Sequence, residues 1–141
     1  MIPVFEVVDH TADVAFVVRA KNKEDLLKDA ANALYYIYFG KLPDKNYSEK
    51  RTLKIDGLNF EDALISFLNE LIFYFEARKL VFSGINNVKF SQNTIEAEVF
   101  FSQFSPEKHL PLIHIKAATY GGGKLRVLEN GDLYITVILD I

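Results

Sequence analysis

Asn59-Phe60-Glu61-Asp62-Ala63-Leu64-Ile65-Ser66-Phe67-Leu68-Asn69-Glu70-Leu71-Ile72-Phe73-Tyr74-Phe75-Glu76-Ala77-Arg78-Lys79 is the stretch that decides the architecture. Ala63, Leu64, Phe67, Leu68, Leu71, Ile72 and Phe75 recur every three or four residues and draw one apolar stripe along a helix. Asn59 stands where a capping side chain is wanted, and Glu61 and Asp62 suit the positive end of the helix dipole. Arg78 and Lys79 suit the other end. Everything after this helix reads as sheet. Leu80 to Phe90 and Thr94 to Phe104 are two long runs turned by Ser91-Gln92-Asn93, and Leu112 to Tyr120, Lys124 to Leu128 and Leu133 to Leu139 follow. Glu129-Asn130-Gly131-Asp132 carries the Asn-Gly hairpin signal between the last two.

Before the helix, Arg51 to Ile55 is a short strand and Lys41 to Glu49 a polar loop. A second helix is expected from Lys23 to about Phe39, capped by Asn22, with Leu26, Leu27, Ala30, Ala31, Leu34 and Ile37 at helical spacing and Gly40 as its stop. Val4 to Val8 and Val14 to Ala20 form a first strand pair, joined by Asp9-His10-Thr11-Ala12-Asp13. Strand, strand, helix, strand, helix and five strands predict an α+β fold: a two-layer sandwich with two helices on one face of a largely antiparallel sheet. Strand order is not readable from the pattern.

Composition bounds the function. With 141 residues and half of them hydrophobic, the chain makes one domain, 1–141, with a real core. It contains no cysteine, which excludes disulfides, thiolate zinc sites and a cysteine nucleophile. The first residues lack the basic start and apolar stretch of a secretory signal, and no apolar run reaches membrane-spanning length. A cytoplasmic protein with no membrane partner is expected. The net charge of -3, without a long Lys/Arg run, argues against an autonomous grip on RNA and for docking on a basic partner.

The chemistry-bearing residues gather in few places. Asp9, His10, Thr11 and Asp13 lie within five residues on an inter-strand loop. Oxygen-rich loops bind hard cations, and the same residue types also favour tight turns. At the other end, a nearly all-apolar strand stops on Asp140, and the α-carboxylate of Ile141 adds a second anionic group. A solvated chain end is the competing reading. If Asp13 lies at the same rim, the carboxylates repel unless a cation or protons neutralise them. Lys116 alternates with apolar neighbours and reads either as a surface lysine or as a cation serving an acidic site. Gly121-Gly122-Gly123-Lys124 lacks the phosphate-loop spacing and reads as a turn. The three histidines form no helical zinc pair, and no Gly-x-Ser-x-Gly elbow occurs. Asn69 and Glu70 interrupt the apolar stripe, either in a buried hydrogen bond or towards water.

Asp9-His10-Thr11-Ala12-Asp13-Val14 resembles the opening signature of the archease family. Asp29-Ala30-Ala31, Phe67-Leu68-Asn69-Glu70-Leu71, Lys116-Ala117-Ala118-Thr119-Tyr120 and the apolar-Asp-apolar tail are similar to later family signatures, in the family's order. The resemblance spans essentially the whole chain. Ala15 stands where many members have glycine, and Gly121 where many have histidine. The resemblance implies an accessory protein of the RtcB-type RNA ligase. Such a protein promotes ligase guanylylation and turnover and meets RNA and GTP only through the ligase. It implies a metal site at Asp13, Asp140 and Ile141, for Ca²⁺, Mg²⁺ or Mn²⁺ rather than zinc. Asp9, His10, Thr11 and Lys116 are then expected to contact the partner or support the metal ligands. The alternatives are a general chaperone-like binding module and a metal-dependent hydrolase or nuclease working through Asp13 and Asp140.

Overall fold

The structure, a computed structural model, describes residues 5–9, 13–120 and 125–141. Ten elements follow in order: β1 (Phe5–Asp9), β2 (Asp13–Ala20), α1 (Lys23–Phe39), β3 (Glu49–Asp56), α2 (Phe60–Arg78), β4 (Leu80–Ser91), β5 (Thr94–Gln103), β6 (Ala117–Tyr120), β7 (Arg126–Val127) and β8 (Leu133–Asp140). The expected α+β class stands, and its antiparallel strands divide between two sheets. One runs β1-β2-β8-β6, with β7 also paired to β8; the other runs β3-β5-β4.

Both helices begin where a side chain satisfies a free backbone donor. The Asn22 side chain accepts from the Asp25 N–H, and that of Asn59 accepts from the Asp62 N–H, each at 2.8 Å. α1 stops at Gly40, whose φ of 71° is left-handed and costs glycine nothing. The stripes face inward: Leu26, Leu27, Ala30 and Ala31 of α1 and Leu64, Phe67, Leu68 and Leu71 of α2 are buried. They meet Phe16, Val18, Ile135, Val137 and Leu139 of one sheet and Ile95, Val99 and Phe101 of the other in a single apolar cluster. The helices thus stitch two sheets into one core. Among the described residues, no helix is long and apolar enough to cross a membrane.

Two runs expected to be strand are shorter. Residues 112–116 are irregular, and only Ala117–Tyr120 pairs with β8. Two backbone donors of the irregular part go elsewhere, Leu112 N–H to the Tyr38 carbonyl and Ile115 N–H to the Glu76 carboxylate, while the Lys116 N–H reaches the Asp140 carbonyl of β8. Periodicity reported the alternation of side chains correctly, but tertiary partners claimed the hydrogen bonds. From the run expected at 124–128, only Arg126–Val127 is strand, and residue 124 lies outside the described residues. The Asn-Gly turn does close the last hairpin, with Gly131 at φ 90°.

Candidate functional site

β2 and β8 lie side by side with Asp13 opposite Asp140, Val14 opposite Leu139 and Phe16 opposite Val137. In an antiparallel pair, residues directly opposite share a face. Leu139 and Val137 point into the core, so Asp140 and its neighbour Asp13 belong to the opposite face. β6 extends the row, because Ala117 lies opposite Asp140 from the other side. Lys116 donates its backbone N–H to the Asp140 carbonyl at 2.7 Å. The end of three adjacent strands thus carries Asp13, Asp140 and the start of the Lys116 segment. Asp140 is exposed and Asp13 half-buried.

Two carboxylates directly opposite one another repel, and a hard cation relieves that repulsion. The donors are oxygens only, which suits Ca²⁺, Mg²⁺ or Mn²⁺ and not zinc. Among the described residues, no three side chains of His, Cys, Asp and Glu gather closely enough to hold a metal by themselves. The two side chains do not make a complete site by themselves, and a cation here would need its remaining ligands from elsewhere. His10 and Thr11 lie outside the described residues, and for Asp9 only its backbone place in β1, opposite Val14, is described. The Gly121-Gly122-Gly123-Lys124 turn also lies outside them.

A network that the sequence did not suggest adjoins this end. Glu76 on α2 receives the Tyr38 hydroxyl at 2.8 Å and the Ile115 N–H at 3.0 Å on one oxygen, and His114 Nδ1 lies 3.0 Å from the other. An ionised carboxylate only accepts, so Nδ1 of His114 carries the proton. Burial alone would raise the Glu76 pKa. Hydrogen bonds from Ile115, Tyr38 and His114 outweigh it and leave the carboxyl below its ordinary value. Two turns earlier, Asn69 resolves the open reading of its position. Its amide accepts from the Ala118 N–H at 2.8 Å and donates to the Ala118 carbonyl at 3.0 Å. Between these contacts lies a cleft of about 630 Å³ lined by Ile72, Phe73, His114, Ile115, Lys116 and Ile141 among others. Glu76 and His114 are 38 residues apart, so no local motif could announce them. The only signal was that Glu76 follows the apolar Phe75 on the stripe-bearing helix.

The profile of the archease protein family (MTH1598/TM1083) matches residues 5–141. The archease of Sulfurisphaera tokodaii is 29% identical over 97% of this chain and 98% of its own length. That of Pyrococcus furiosus is 29% identical over 94% of this chain and 95% of its own. In fold, the chain is similar to protein 1598 of Methanobacterium thermoautotrophicum, with a TM-score of 0.72 at 24% identity, covering 99% of this chain and 100% of that one. It is also similar to a Thermotoga maritima archease described as a possible chaperone, with a TM-score of 0.60 at 20% identity, covering 95% of this chain and 94% of that one.

Proposed function

The chain belongs to the archease family, and from that premise we propose that it is an accessory protein of an RtcB-type RNA ligase. In this reading it promotes guanylylation of the ligase's own histidine and carries no catalytic residue itself. RNA and GTP are met through the ligase. The observation that supports the reading is the register of β2 and β8, which puts Asp13 directly opposite Asp140 at an open end of the sheet. Asp13, Asp140 and the α-carboxylate of Ile141 would hold Ca²⁺, Mg²⁺ or Mn²⁺ there, and Asp9, His10, Thr11 and Lys116 would meet the partner or steady the ligands. Bound there, such a cation supplies charge neutralisation to a neighbouring phosphate group. The protein's own part is positioning. β8 is buried along Ile135, Val137 and Leu139, so Asp140 is presented from a rigid strand rather than a loose tail.

The test is guanylylation of a cognate RtcB-type ligase with labelled GTP, with and without this protein. Wild type should accelerate labelling, and Asp13→Ala should not, while its melting temperature stays near wild type because no core volume is lost. Full activation by a folded Asp13→Ala protein would remove the carboxylate from the mechanism. A covalent label on this chain would point to an enzyme, and client binding that ignores loss of both aspartates would point to a general chaperone-like module.

A further inference from the structure

We propose that the cleft between the second half of α2 and residues 112–116 is the pocket by which this protein docks on its ligase. Its occupant is a segment of that protein bearing a bulky apolar side chain beside a carboxylate. The inference rests on the accessory role argued above. The floor of the cleft is apolar and fixed: Ile72 is 3% exposed and Ile115 2%. Its walls are apolar and open, with Phe73 46% exposed and Ile141 44%. Phe73 falls off the buried stripe of α2, where a polar residue would keep the helix surface wet. An aromatic side chain standing in such a place is the usual anchor of a protein interface.

The charges around the cleft select what accompanies the apolar group. Its own side-chain acid, Glu76, has both oxygens occupied by Tyr38, Ile115 and His114. The Arg78 guanidinium lies 5.5 Å from the centre of the Phe73 ring, and Lys116 lines the mouth. Among the described residues, neither cation pairs with a carboxylate. An arriving apolar side chain therefore finds a greasy wall, and a carboxylate next to it finds unpaired cations. The net charge of -3 and the absence of a basic run argue against a nucleic acid as the occupant. Continuity adds a reason. Lys116 donates to the Asp140 carbonyl, and Ile141 follows Asp140, so a segment seated here brings its owner against the acidic end of the sheet.

The experiment titrates the 141-residue chain into fluorescently labelled ligase and measures Kd for wild type, Phe73→Asp, Arg78→Glu and Asp13→Ala. Phe73→Asp should weaken binding at least tenfold and Arg78→Glu severalfold. Asp13→Ala should bind like wild type and fail to activate. Calorimetric Mn²⁺ titration and thermal melting should be unchanged in Phe73→Asp. Should that variant fold poorly, benzoylphenylalanine at position 73 serves instead and should photocrosslink to a ligase peptide containing an acidic residue. Wild-type affinity in Phe73→Asp, or crosslinking to RNA in place of ligase protein, overturns the docking site while leaving the accessory role intact. If the wild-type chain neither binds nor activates the ligase, the accessory role itself falls and the docking site with it.

Discussion

Asp29 shows how a single side chain can work against the fold. It sits on α1 between Lys28 and Ala30, half-buried, and makes no ion pair among the described residues. Burial, and then the nearby charge of Asp25, push its carboxyl up from 3.8 to about 6. A carboxyl with a raised folded pKa holds its proton more tightly in the fold. The associated stability is present below 3.8 and is lost as pH rises through about 6. Asp29→Asn should therefore stabilise the protein at pH 7 by about 1 kcal/mol after solvent screening, and by nothing at pH 3.5. Urea denaturation at the two pH values measures this. His109 has the opposite lesson. It is 4% exposed and its Nδ1 accepts the Ser105 N–H at 3.0 Å, so the neutral ring is the one that fits. Burial lowers its pKa from 6.5, with Lys41 and Lys108 acting the same way and Asp44 opposing them. A depressed folded pKa means stability that is complete above 6.5 and lost as pH falls through the lower folded value. His109→Gln should flatten that part of the pH profile, and a melting curve as steep in pH as wild type would refute the assignment.

At the scale of elements, the segment from Ser105 to Lys116 is the least sheet-like part of the second half. It is tied to its surroundings one bond at a time. Lys41 Nζ donates to the Lys108 carbonyl at 2.7 Å, the Leu112 N–H to Tyr38, and the Ile115 N–H to Glu76. Glu76→Leu removes at once the acceptor of the Ile115 N–H, the Tyr38 hydroxyl and His114 Nδ1. It should cost about 3 kcal/mol, since each buried donor left without a partner costs about 1–3 kcal/mol. Hydrogen exchange should then show faster opening at Ile115 than at β5. The two helices were legible because a stripe, a cap and a stop coincide in each of them: Asn22 with Gly40, and Asn59 with Lys79. The 112–116 run was not, because alternating side chains say nothing about which partner takes the backbone donors. Asp13 and Asp140 could be marked as candidates from sequence. Their opposition is a fact of register between strands more than a hundred residues apart, and register has no local signature.

For the molecule as a whole, one core has consequences that two stacked sheets would not. Phe67 is fully buried within the cluster shared by both sheets. Phe67→Ala should cost about 3–5 kcal/mol. It should lower the stability of both sheets together, seen as one transition by near-ultraviolet and far-ultraviolet circular dichroism. Separate transitions for the two would mean that the helices do not couple them. Gly57 guards the same unity, because a Cβ there would lie 2.5 Å from the Ala63 backbone nitrogen. Gly57→Ala should push the start of α2 off its seat and destabilise the protein more than any exposed substitution, as chemical denaturation would show. The contact between Asn69 and Ala118 reaches furthest in its consequence. β6 stands at the end of its sheet's pairing order, where an open strand offers a template to any passing chain. The Asn69 amide occupies both the N–H and the carbonyl of Ala118, imitating a neighbouring strand with a side chain. It denies a second molecule its first rung, so Asn69 guards colloidal behaviour at high protein concentration as well as the local fold.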